Sequence, residues 1–105
     1  MKIEKRILCA QRLRRTPPSF SWVDHRLVRE GLLRRAESRA WALYLVLVTV
    51  GDEHGLSYYS DKSLGLLLSL SVEEIAALRR QLVLADLIAY EAPLYQVLAL
   101  EGGTS

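Results

Sequence analysis

Ile75, Leu78, Leu82 and Ala85 recur at three- and four-residue spacing, and this stripe predicts an amphipathic helix over residues 72–85. Its start is marked by Ser71, Val72, Glu73 and Glu74, a capping box in which the Ser71 hydroxyl accepts from the Glu74 N–H and Glu74 reaches back to the Ser71 N–H. A compact helix over residues 61–68 precedes it, and Ser69, Leu70 and Ser71 form the turn between the two. On either side the pattern becomes β-like. Leu56, Ser57, Tyr58 and Tyr59 read as a short aromatic strand, and residues 87–90 and 94–98 read as two strands joined by Glu91, Ala92 and Pro93. Asp86, where the chain must leave the long helix, tolerates a left-handed backbone better than most non-glycine residues.

Upstream, Glu37 or Ser38 can cap a helix that runs to about Val50. Its apolar residues from Ala40 to Val48 surround most of the cylinder, so it is expected to lie centrally, with one face available to a partner chain. Gly51 and Gly55 suit the cap and turn that end it. Leu27, Val28, Leu32 and Leu33 fit part of a helical face over residues 26–35, weakened at Gly31 by about 1 kcal/mol relative to alanine. Phe20, Ser21, Trp22 and Val23 alternate aromatic or apolar with polar positions, as a short strand or an extended docking segment does. Residues 1–19 read as a basic arm, because Pro17 and Pro18 stop any helix there. Residues 20–100 form the domain, and residues 101–105 a frayed tail. The expected core is Leu43, Leu47, Leu64, Leu67, Leu70, Ile75, Leu78, Leu82, Leu87, Ile88 and Val97.

A chain of 105 residues supports one domain. The apolar run from Ala40 to Val50 is shorter than the roughly 20 residues a bilayer requires, so no membrane partner is expected. A single cysteine, Cys9, excludes an intrachain disulfide framework, and no apolar segment of a signal peptide follows the basic N-terminus, which together suit the cytoplasm. The formal net charge of +2 hides an asymmetry. Residues 1–40 carry eleven Lys and Arg against four Asp and Glu, a net +7, whereas residues 41–105 carry three against eight, a net −5. The attraction for an anionic partner therefore resides in the first forty residues.

The order strand, helix, turn, helix, hairpin is the plan of a winged helix-turn-helix. Leu70 to Leu78, followed by Leu82 and by Asp86, Leu87 and Ile88, resembles the bacterial winged-helix domains of the GntR type and of plasmid replication initiators. Leu64, Gly65, Leu66, Leu67 and Leu68 resemble the helix before the turn, and the chain as a whole resembles small helix-turn-helix proteins found beside mobile elements. The resemblance spans about residues 38–100. It implies an α+β fold, mostly helical, with a small three-stranded antiparallel sheet. It also implies double-stranded DNA as the partner, and a role as a transcriptional regulator or a replication or mobile-element accessory. In such domains the start of the second helix meets base edges in the major groove. Carried onto this chain, that surface includes Ser71, Glu73 and Ala76, with Arg79 and Arg80 one turn further on and Tyr59, Ser60 and Lys62 at the strand-to-helix entry. The chain departs from the pattern in three places. The outward positions Val72, Glu73, Glu74, Ala76 and Ala77 include no base, Asp86 replaces the usual glycine, and the wing at Glu91, Ala92 and Pro93 has no Lys or Arg.

Basic residues outside that motif have two readings each. Arg12, Arg14 and Arg15 can track phosphates as an arm or remain a solvated tail. Arg34, Arg35 and Arg39 can extend the patch or form ion pairs with Glu30 and Glu37. Ser60 can touch a phosphate or serve only as a helix cap. Trp41 is expected in the core, with Trp22 pinning the N-terminal segment onto the domain or a second subunit. His25 and His54 have no companions at metal-ligand spacing, and no nucleophile-elbow or phosphate-loop motif occurs, so neither a metal, a cofactor, a small-molecule substrate nor a catalytic role is expected. Two functions remain in view: a non-enzymatic DNA-binding protein, or a homodimerisation and docking module whose Glu73 and Glu74 face a basic partner.

Overall fold

The computed structural model describes residues 3–100. Along them run α1 (Arg26–Arg29), α2 (Ser38–Val50), β1 (Leu56–Tyr58), α3 (Asp61–Leu68), α4 (Val72–Leu84), β2 (Ile88–Glu91) and β3 (Leu94–Val97), with short 3-10 turns at Ala10–Arg12 and Leu32–Arg35. The result is an α+β fold of four helices and a small three-stranded antiparallel sheet. The strand order is β1-β3-β2, so the last strand is central. Its register sets Tyr95 between Ser57 on β1 and Tyr90 on β2, one row across the sheet. A fully buried central strand position is an anchor, and Tyr95 is 0% exposed. The expected strand bounds shift by one residue at most sites; Leu87 lies ahead of β2 rather than in it.

The core collects Leu43 and Leu47 from α2, Leu64 from α3, Ile75, Leu78 and Leu82 from α4, and Leu87 and Ile88 before and in β2, as the periodicity predicts. Three expectations are corrected. Leu67 is 59% exposed, because α3 buries only the side that carries Leu64 and Gly65. Leu70 and Val97 pack against the core but are half-buried. In their place the core takes Tyr95, Ala40, Tyr44, Leu27 and Leu32.

Helix ends show why these segments stop where they do. Ser71 caps α4: its hydroxyl accepts from the Glu74 N–H at 3.1 Å, and the Glu74 carboxylate accepts from the Ser71 N–H at 2.9 Å. At the other end Asp86 takes φ 63°, while its N–H bonds Val83 O and the Leu87 N–H bonds Leu82 O, both at 3.0 Å. That is a Schellman closure with aspartate where glycine is usual. The first helical segment is not continuous. Gly31 at φ 69° separates α1 from the 3-10 turn after it, so the residues expected to share one helical face lie on two short turns. Glu37 occupies the N-cap position of α2 without a side-chain cap bond, its carboxylate being used elsewhere.

The turn between α3 and α4 is set by backbone contact. Ser69 adopts φ 59°, and the N–H groups of Ser69 and Leu70 both reach Gly65 O. A Cβ on Gly65 would lie 2.5 Å from Leu70 O, closer than any real Cβ contact. Gly65→Ala is therefore expected to lower stability by about 1–3 kcal/mol, since the turn must open to admit one methyl group. Urea denaturation would show this as a lower midpoint with an unchanged slope.

Upstream of α1 the described chain has no α-helix or strand, only a 3-10 turn at Ala10–Arg12 and bends at Leu8 and at Pro18 and Ser19. Residues 3–23 are all exposed and Phe20 to Val23 pair with no strand, but this segment touches the body: the Ser21 hydroxyl donates to Thr49 O at 3.4 Å, and Trp22, although 76% exposed, lines a cleft with Tyr44 and Val48. Trp41 ties the second 3-10 turn to α2, its Nε1–H donating to Leu33 O at 2.8 Å while its ring meets Tyr44 edge-on at 5.0 Å. The radius of gyration is 16.1 Å, against about 13 Å for a compact domain of 100 residues, which reflects the projecting arm. No helix among the described residues is long and apolar enough to cross a membrane.

Candidate nucleic-acid interface

The surface in question is the start of α4 with the turn and α3 before it. Lys62, Ser71 and Val72 line one shallow groove together with Leu66 and Leu70. Glu73, Ala77 and Arg80 are exposed on the outward side of α4, and Ala76 is half-buried. Ser71 spends its hydroxyl on the helix cap, and so does Ser60, whose Oγ accepts from the Ser63 N–H at 3.0 Å. Tyr59 packs against the core rather than facing outward, with its N–H on Pro93 O at 3.3 Å.

Arg79 stands apart from the surface role expected for it. Its guanidinium binds Asp61 at the start of α3 (2.5 Å), donates to the Tyr95 hydroxyl (2.9 Å) and lies 4.2 Å above the Tyr90 ring. The side chain is only 15% exposed. Burial acts to lower its pKa, but the bonds to Asp61 and Tyr95 outweigh that and the net shift is upward. One cation thus joins α3, α4, β2 and β3, and it is not free for a phosphate. A signal for this was present in the chain: Ile75, Arg79 and Leu82 fall at i, i+4 and i+7, on the edge of the buried stripe. Which acid and which tyrosines would meet it could not be read there.

A second polar cluster ties α2 to α4. Arg39 bonds Glu37 at 2.9 Å and Glu74 at 2.6 Å, and Gln81 donates to Glu37 at 2.7 Å while accepting from the Glu37 N–H at 2.9 Å. Glu74 is thereby neutralised, so of the two adjacent carboxylates only Glu73 presents an unpaired charge among the described residues. Bonding from Gln81, then from Arg39, lowers the Glu37 pKa. Bonding from the Ser71 N–H, with further help from Arg39, lowers that of Glu74. Carboxylates with depressed native pKa values stabilise the fold above their ordinary value of 4.5, and that contribution is lost as pH falls through the native values. The melting temperature is accordingly expected to fall as pH drops from 5 towards about 3, and Glu74→Gln to blunt the fall. An equally steep fall in the variant would show that the Glu74 cluster plays no part.

The remaining cations sit elsewhere. Arg34 and Arg35 are exposed on the 3-10 turn before α2 and pair with neither Glu30 nor Glu37. Arg12, Arg14 and Arg15 are exposed along the arm. Together with Lys62 and Arg80 they form no ion pair among the described residues. No ion pair joins the arm's cations to α4 among the described residues. The apolar run of α3 gives no signal of which side faces outward: Leu66, beside Lys62, is 76% exposed. Cys9 is exposed, and no group of three or more His, Cys, Asp or Glu among the described residues is placed to hold a metal ion. In comparisons with known proteins, no family model, no curated protein and no solved structure matches the chain.

Proposed function

We propose that this chain is a non-enzymatic, winged helix-turn-helix protein that binds duplex DNA, acting as a regulator or as an accessory to replication or a mobile element in the bacterial cytoplasm. In this reading α3 and α4 are the helix-turn-helix and the β2–β3 hairpin is a short wing. The observation that carries it is the division among the charges. Arg26, Arg39 and Arg79 are paired with acids of the fold, whereas Arg12, Arg14, Arg15, Arg34, Arg35, Lys62 and Arg80 are exposed without acidic partners among the described residues. Internal pairing of Glu74 also removes half of the repulsion that the start of α4 would present to phosphates.

Attraction built on such cations is released by salt, because each phosphate contact displaces a condensed counterion. A fluorescence-anisotropy titration of labelled duplex is expected to give binding whose logarithm falls linearly and steeply with that of the salt concentration. Absence of binding at low salt would sink the reading. A protein-docking role on the same scaffold is favoured by one observation, the exposure of Leu66 and Leu67 on α3, since apolar side chains gain little from a phosphate backbone. Leu66→Lys separates the two: it is expected to strengthen DNA binding and to abolish docking.

A further inference from the structure

We propose that two copies of this chain pair by exchanging their N-terminal arms, each arm lying in a cleft of the other copy. The cleft is a cavity of about 500 Å³ on the side of the body where β3 leaves the sheet. Phe20 and Trp22 form one wall, Tyr44 and Val48 of α2 and Leu98 after β3 form the floor, and the α2–β1 turn supplies the rim. That rim carries Asp52 and Glu53, both exposed; Asp52 already accepts from the His54 and Leu56 N–H groups at 2.8 and 2.9 Å, whereas Glu53 has no bonded partner among the described residues. Asp24 also faces the cleft but is already bound to Arg26 at 2.7 Å. The occupant such a cleft fits is an extended segment with apolar side chains for its walls and cations for its rim.

The arm has that chemistry. Ile7, Leu8 and Leu13 are 64%, 86% and 55% exposed, and Lys5, Arg6, Arg12, Arg14 and Arg15 are interleaved with them. The arm contributes nothing to its own core, so its apolar residues stay in water unless another surface covers them. Charge complementarity points to the Asp52 and Glu53 rim of a second copy as that surface. Exchange in trans rather than folding back in cis follows from the chain's own cleft, which none of residues 3–19 lines. A reciprocal exchange has two-fold symmetry and closes. Each copy then buries area on its arm and again in its cleft, which is how a short segment reaches the roughly 1,200–2,000 Å² of a stable interface.

Arm cations facing Asp52 and Glu53 cannot face phosphates at the same time, so the test is made without DNA and stands or falls apart from the DNA reading. Sedimentation equilibrium of the full chain from micromolar to millimolar concentration is expected to show a dimer. Leu13→Asp on the arm and Glu53→Arg on the rim each change an exposed residue, and each is expected to weaken the dimer by about tenfold or more while leaving the melting curve in place. Mixing the two variants is expected to restore part of the association, because one of the two arm–cleft contacts is then intact, whereas neither is intact in a pair of identical variants. A wild-type monomer across this range, a dimer indifferent to both substitutions, or a mixture that stays monomeric would each overturn the proposal.

Discussion

Arg79→Ala is expected to destabilise the fold by about 2–4 kcal/mol, the largest effect of any single surface-to-core charge in the chain. Three losses combine. The Tyr95 hydroxyl, on a residue with no exposure, loses its donor, and a buried polar group without a partner costs about 1–3 kcal/mol. Asp61 at the start of α3 loses its ion pair, although at 31% exposure water recovers part of that. The stacking of the guanidinium on Tyr90 contributes about 0.5–2 kcal/mol more. Urea denaturation would show the midpoint falling at constant slope. Arg79→Met, which keeps the aliphatic stem against Tyr90, should recover part of the loss. A stable Arg79→Ala whose DNA affinity alone fell would mean that the cation works outward, against the geometry reported above.

Removal of residues 1–15 is expected to lower affinity for duplex DNA by about 10²–10⁴-fold at low salt, and to make the salt dependence shallower by about 3–5 units of slope. The segment holds Lys2, Lys5, Arg6, Arg12, Arg14 and Arg15, of which Lys2 lies outside the described residues. Its described residues are exposed and none belongs to the core, so the truncated chain is expected to keep its melting temperature. That separation is the value of the experiment, because lost binding cannot then be assigned to lost folding. Arg80→Ala should cost far less, and Glu73→Gln should strengthen binding slightly by removing the unpaired carboxylate from the start of α4. An unchanged affinity after truncation would move the attraction to Arg34, Arg35 and Lys62.

Much of the second half of the molecule was legible in its residues. The capping box at Ser71 and Glu74 formed with both of its bonds, α3 spans the expected residues, and Asp86 took the left-handed turn. These are local matters, decided by hydrogen bonds and backbone preferences within four or five residues of one another. The upstream segment was less legible for the same reason. Short, mixed patterns around Gly31 have no local interaction strong enough to choose between one helix and two turns.

The amino-acid sequence by itself determined where the helices of residues 61–84 begin and end, the hairpin that follows them, the spacing of their buried stripe and the placing of basic residues ahead of acidic ones. Only the tertiary structure decided which charges are free. Arg79 and Arg80 are adjacent, and Glu73 and Glu74 are adjacent, yet one member of each pair is ion-paired to another element and the other is unpaired among the described residues. The partners responsible, Asp61, Tyr95 and Arg39, are 16 to 35 residues away. Chain separations of that size carry no pattern in the sequence. Helix packing and the register of β3 set them, and so the same packing that excluded Arg79 from the surface left the arm's cations as the main charge to offer a partner.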